Sequence, residues 1–156
     1  MKRIEGVLTK MLVKHCDDRG FFMEILREDD VLFGQSGHFG QASISLSYPG
    51  VIKAFHYHKL QDDIWFFPNG SAQVVLHDLR EHSPSYGETN VFYMGEGAPY
   101  LLFIPRGVAH GYRVLGAQPA TIVYFTNLAY DPKQPDEYRL AYDDPEIGFD
   151  WNTKFR

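Results

Sequence analysis

The sequence carries a single cysteine, Cys16, in 156 residues, which excludes an internal disulfide and fits a reducing compartment. It has no uncharged apolar run of the roughly 18 residues that a transmembrane helix needs. The opening stretch MKRIEGVLTKMLVKHCDDRG is broken by charges every few positions, so no secretory leader is expected. Positive charge is not in excess either. Lys and Arg total 15 against 20 Asp and Glu, a formal net charge of −5, and no basic run marks a nucleic-acid footprint. No repeat, low-complexity tract or linker divides the chain, and its length suits one domain, residues 1–156, with its own core. These absences predict a cytoplasmic protein that binds neither nucleic acid nor membrane.

What the chain does have is hydrophobic residues at 44% and aromatics at 15%. Short runs rich in β-branched and aromatic residues alternate with Gly, Pro, Asn and Asp at intervals of about ten residues, the pattern of an all-β sandwich or barrel. Strands are expected at VLTKMLVKH, FFMEILR, GQASISLS, VIKAFHYH, DIWFF, AQVVLHDL, NVFYMG, YLLFIP, HGYRVL and ATIVYFTN. Pro68-Asn69-Gly70 predicts a tight hairpin between two of them. REHSPSYGET reads as a polar loop, and one helical turn is expected around QPDEY in the Asp- and Pro-rich tail. A doubly layered jelly roll closes that many antiparallel strands.

The chemistry-bearing residues sit on these strands. If VIKAFHYH is extended, His56 and His58 point to one face together with Ile52 and Ala54, towards a barrel interior. Lys53, three positions from His56, falls on the opposite face unless the strand bulges. His110 follows a Pro105-x-Gly107 turn at the head of another strand. A lone buried histidine is ordinarily a core residue, but two on one inner face with a third ahead make a candidate site.

The spacings Gly50-x5-His56-x-His58-x4-Asp63-x6-Gly70 and Pro105-x-Gly107-x2-His110 resemble the two motifs of the cupin superfamily, with Asp63 where glutamate is usual. That resemblance implies either a metal on His56, His58, Asp63 and His110, for which Fe, Mn, Ni or Zn are suitable, or a metal-free site. Five further segments resemble, in order, the dTDP-4-dehydrorhamnose 3,5-epimerase family: DDRGFFME, QASISLSYPGV, DLREHSPSYG, PRGVAHG and YFTNLAYDP, followed by DDP at Asp143 to Pro145. This second resemblance implies a cupin-type jelly roll with a short irregular or helical tail, and an isomerase that needs no cofactor and no metal.

It further implies proton abstraction beside the ketone of a nucleotide-linked 4-keto-6-deoxy sugar, which needs a base, an acid on the opposite face and a stabiliser for the enolate. By this match His56 is the base, Asp144 its buried partner and Tyr124 the proton donor, with Tyr130 beside it. His110 would bond a sugar oxygen and His58 line the pocket. Arg19 is matched to sugar or phosphate, Gln41 to the pyrophosphate region, and Phe22 and Glu24 to the base of a nucleotide held by a second subunit, which makes a homodimer. Some positions depart from the pattern. Lys53 replaces a bidentate arginine with a point charge, Ser43 replaces an asparagine, and Asp63 replaces a lysine, where a carboxylate would repel an anion. Three other readings use the same residues: a nucleotide-sugar 3,4-ketoisomerase, which HYHK resembles, a metal-binding cupin, and a non-catalytic sugar-binding module.

Overall fold

Two five-stranded antiparallel sheets face each other in the computed structural model, which describes residues 2–154. In chain order the elements are β1 (Leu8–Met11), β2 (His15–Asp17), β3 (Gly20–Phe22), α1 (Val31–Ser36), β4 (Gln41–Ser47), β5 (Ile52–Tyr57) and β6 (Asp63–Asn69). They continue with β7 (Ser71–Asp78), β8 (Thr89–Gly95), β9 (Tyr100–Ile104), β10 (Val108–Leu115), β11 (Ala120–Thr126) and β12 (Tyr138–Arg139). The first sheet runs β1-β9-β6-β11-β4 and the second β12-β5-β10-β7-β8, while β2 and β3 form a separate hairpin. The arrangement is the all-β jelly roll that the strand pattern predicts.

Burial explains the strand sequences. Between the sheets, Trp65, Phe67, Val74, Leu76, Leu102 and Ile104 meet in one cluster. The alternate residues Ile64, Phe66, Leu101 and Phe103 face outward under the N-terminal segment and Leu32 of α1. On the second sheet Phe55, Val75 and Ala109 face outward under Ile147 and Trp151 of the tail. Central strands with both faces covered therefore read as continuous apolar runs such as YLLFI. Each such side chain contributes about 1.5–3 kcal/mol on full burial. The edge strand β4 is different, because QASISLS turns its polar residues inward and leaves Ile44 and Leu46 exposed.

Four expectations are corrected here. Asn69 and Ser71 end and begin strands of different sheets, so Pro68-Asn69-Gly70 is a corner between layers and not a hairpin. Of these three residues only Gly70 takes a positive φ, +73°, and a Cβ there would lie 2.4 Å from the Pro119 carbonyl oxygen. Only Gly20–Phe22 of the FFMEILR region is a strand, and α1 follows it where no helix was expected. QPDEY forms no helical turn: Tyr138 and Arg139 instead pair with Tyr57 and His56 as β12, covering what would be an open edge of the second sheet.

Candidate functional site

At one end of the sandwich the apolar filling stops and a cavity of about 1190 Å³ opens between the sheets. That volume lies just above the usual range of small-ligand sites, roughly 300–1,000 Å³. Strands β5 and β10 supply one wall, β4, β6 and β11 the other, and residues 128–140 the rim. His56, His58, Gln41, Lys53, Tyr124 and Tyr130 all line it.

Lys53 reaches this cavity through a bulge. On β10, His110 pairs with His56 and Tyr112 with Lys53, so two steps on β10 match three on β5. The extra residue puts Lys53 and His56 on the same inner face. The Lys53 ammonium donates to Ser45 Oγ of the opposite sheet at 3.0 Å. Ile52 and Ala54, expected beside His56, border the same cavity and also pack against the outer cluster under Trp151.

The centre of the site is a carboxylate among imidazoles. Asp63, 2% exposed at the start of β6, accepts from Gln61 Nε2 at 2.8 Å and from Trp65 Nε1 at 3.0 Å. His58 Nε2 lies 3.7 Å from one of its oxygens and His110 Nε2 3.6 Å from the other. His110 donates Nδ1–H to the Val108 carbonyl at 2.8 Å, which leaves Nε2 bare and without a hydrogen-bond partner. His58 likewise turns Nδ1 to the Asp136 carbonyl, and its Nε2 faces the Gln61 amide at 3.3 Å. His56 stacks edge-on to His110 with ring centroids 4.1 Å apart. Burial first, and then the neighbouring His110, push the His56 imidazole down to about 3. Burial and His58 push His110 to about 3 as well, so both rings are uncharged at neutral pH.

Other matched residues fall in three groups. Tyr124 faces the cavity from β11, paired with Ser43 of β4 and Trp65 of β6. Gln41 donates to Ser43 Oγ at 2.9 Å and accepts the backbone N–H of Tyr130 at 2.9 Å, tying the rim to β4. Arg19, Phe22 and Glu24 do not line the cavity of their own chain. Arg19 pairs with Asp17, Glu24 with Arg27, and Phe22 is 65% exposed.

Two assignments are corrected. The structure does not bring Asp144 to His56: its carboxylate accepts the N–H groups of Glu146 and Ile147 and closes a tail turn, and its field acts on His77. The acids whose charge acts on His56 are Asp63 and Glu137. His110 is buried behind His56 and is not part of the cavity wall, so its Nε2 faces Asp63 and not a sugar oxygen. Gln61, Trp65, Asp136 and Glu137 were not anticipated, although Gln61 and Trp65 flank Asp63 at i ± 2 on its own face.

Comparison with known proteins follows the same line. The family model described as dTDP-4-dehydrorhamnose 3,5-epimerase matches residues 1–156. The spore coat polysaccharide biosynthesis protein SpsL of Bacillus subtilis is 65% identical over 153 residues, 98% of this chain and 99% of that protein. The crystal structure of a dTDP sugar isomerase from Desulfovibrio desulfuricans superposes with a TM-score of 0.86 at 30% identity, covering 95% of this chain and 92% of that one. A 3,5-epimerase from Legionella pneumophila, solved in complex with dTDP-4-keto-L-rhamnose, gives a TM-score of 0.84 at 28% identity over 96% and 80% of the two chains.

The rim is clamped to the site by Asp136. Its carboxylate accepts the N–H groups of Lys59, Leu60 and Gln61 at 3.0, 2.8 and 2.9 Å, and these bonds outweigh the opposing effect of burial to hold the carboxyl below its ordinary value. Asp136→Ala is expected to cost about 1–2 kcal/mol at neutral pH and to speed hydrogen exchange at residues 59–61. Because the folded-state pKa is depressed, this contribution is present above about pH 4 and is lost as pH falls through the folded value, so the gap between the two proteins narrows in acid. Urea unfolding at two pH values with exchange mass spectrometry reads this out; unchanged protection at 59–61 would contradict it.

Proposed function

The chain belongs to the dTDP-4-dehydrorhamnose 3,5-epimerase family, a family of isomerases, and from that premise we propose that it inverts C3, C5 or both in a nucleotide-linked 4-keto-6-deoxy sugar. The observation that carries this reading is that an uncharged imidazole, His56, and a phenol, Tyr124, line one cavity from opposite sheets. The substrate class follows the ligand of the Legionella relative.

In this reading the ketone acidifies the neighbouring carbons, and the bare nitrogen of His56 takes a proton from one face. The electron pair moves into the enolate, and Tyr124 returns a proton from the other wall. No metal takes part. The role first matched to Asp144 passes to Asp63 and Glu137, whose negative charge favours the imidazolium that forms. Lys53 supplies the positive charge on this wall, for the enolate or a diphosphate oxygen.

A second copy completes the proposal. The β2–β3 hairpin with Arg19 and Phe22, and Glu24 just after it, lie away from the cavity of their own chain, and the outer face of the edge strand β4 leaves Ile44 72% exposed. A homodimer that buries the β4 face and passes the hairpin to the partner's nucleotide accounts for both. Sedimentation equilibrium is expected to give twice the chain mass, and a fully active single chain would contradict the arrangement.

The catalytic assignment is tested by proton NMR of dTDP-4-keto-6-deoxyglucose with the enzyme in D2O. Wild type is expected to introduce deuterium at C3 or C5. His56→Ala should lose exchange by at least about 100-fold, within the range of general-base contributions, while Tyr124→Phe exchanges at a first carbon without completing inversion. Normal exchange in His56→Ala would exclude it as the base. A product whose ketone has moved to C3 would mark a ketoisomerase instead.

A further inference from the structure

Apolar side chains from both sheets interlock through the body of the sandwich, and at the cavity that filling is missing. The gap between the sheets must be fixed there by other means, because His56 of β5 and Tyr124 of β11 face the cavity from opposite sheets. The residue next to Asp63 sits where such a tie is needed. Asp62, 4% exposed, lies in the loop that leads into β6 and is gripped by two other segments at once.

Arg106 holds it at three points. From the turn between β9 and β10, the Arg106 backbone N–H and Nε–H donate to Asp62 Oδ1 at 2.8 and 3.1 Å, and Nη2 donates to Oδ2 at 2.6 Å. The two side-chain bonds form the two-oxygen grip characteristic of a guanidinium, and the third fixes the backbone of the turn itself. In the same turn the Gly107 N–H donates to the His58 carbonyl at 2.7 Å, and the Val108 carbonyl orients His110. Asn127, the first residue after β11, closes the remaining side. Its Oδ1 accepts the Asp62 N–H at 2.8 Å, and its Nδ2 donates to Asp62 Oδ2 at 3.3 Å.

Asp62 thus joins the head of β10, the start of β6 and the end of β11. β10 belongs to the second sheet and carries His110, whose ring packs against His56 with 4.1 Å between centroids. β6 and β11 belong to the first, and β11 carries Tyr124. Asp62, Arg106 and Asn127 do not line the cavity, so they act on the distance between its walls and not on the ligand.

We propose that Asp62, clamped by Arg106 and Asn127, is a positioning residue that holds the base wall and the acid wall at the separation inversion needs. The proposal rests on the epimerase reading. His56 can return a proton to the face it came from, whereas inversion requires Tyr124 to reach the enolate from the other face first. A misplacement of about 1 Å can cost about 100-fold in such a step. A loosened clamp therefore shifts the enolate from inversion to return on the original face.

Arg106→Ala is the first test, since that side chain is half exposed and its loss leaves Asp62 the bonds from the Arg106 backbone and Asn127. Proton NMR of dTDP-4-keto-6-deoxyglucose in D2O separates deuterium at C3 or C5 of uninverted sugar from deuterium in inverted product. The ratio of the first to the second is expected to rise by about 10-fold or more in Arg106→Ala and Asp62→Asn, with kcat for inversion down similarly and KM within about threefold. Arg106→Lys, which keeps the charge but not the two-oxygen grip, should fall between. The double variant should be no worse than the more damaged single one. A lower folded fraction reduces exchange and inversion together and leaves the ratio unchanged, as is expected for Lys10→Ala, which breaks the Lys10–Asp30 ion pair outside the cavity. An unchanged ratio in Arg106→Ala, with wild-type exchange intact, overturns the clamp alone. Absence of any exchange in the wild type overturns the epimerase reading and the clamp with it.

Discussion

Asp63 is a carboxylate buried between the sheets at the point where the apolar filling ends, and the cavity end of the sandwich is organised around it. Burying an ion without partners is costly, so its surroundings are polar and fully directed. Gln61 and Trp65, two residues away on either side, donate to its oxygens. From the facing sheet His110, and from the residues after β5 His58, turn towards it. The same point is where the apolar cluster of Trp65, Phe67 and Leu76 gives way to an open cavity. Core and site thus meet at a single residue of β6.

The tail then locks this arrangement from outside. Asp136 binds the loop that joins β5 to β6 through three N–H groups, while its own carbonyl orients His58. One residue later Glu137 brings a second negative charge to His56, and Tyr138 and Arg139 extend the second sheet alongside His56. Farther on, Trp151 covers Phe55 on the outer face of β5. The strand that carries His56 is thereby held on its edge and on its outer face, which is what a site requiring a fixed imidazole orientation needs.

Much of this was legible in the chain itself. Alternation and punctuation were enough for most of the strands in the two sheets, though not for FFMEILR or β12, because period-two patterns at β4 and continuous apolar runs at β6, β7 and β9 follow directly from one-sided and two-sided burial. The spacing of His56, His58, Asp63 and His110 was also readable, since two strands and two turns place them with little freedom. Features that depend on how distant segments meet were not. The corner at Gly70 looks locally like a hairpin, and only the sheet assignment shows otherwise. The bulge that turns Lys53 inward is a mismatch between β5 and β10, invisible in either strand alone. Asp144 was matched by motif, yet its carboxylate is used by the nearest free N–H groups of its own turn, while the charge of a tail residue that had no motif, Glu137, acts on His56.

His110 is uncharged, protonated at Nδ1 and bare at the nitrogen that faces Asp63. Nitrogen-15 NMR of the imidazoles in metal-free protein measures this directly. At neutral pH the His110 ring is expected to show one pyrrole-type and one pyridine-type nitrogen, with the proton on Nδ1. An imidazolium signal from His110 under those conditions would mean that the buried carboxylate is neutralised by a proton on this ring, and the lone-pair geometry at the centre of the site would be wrong.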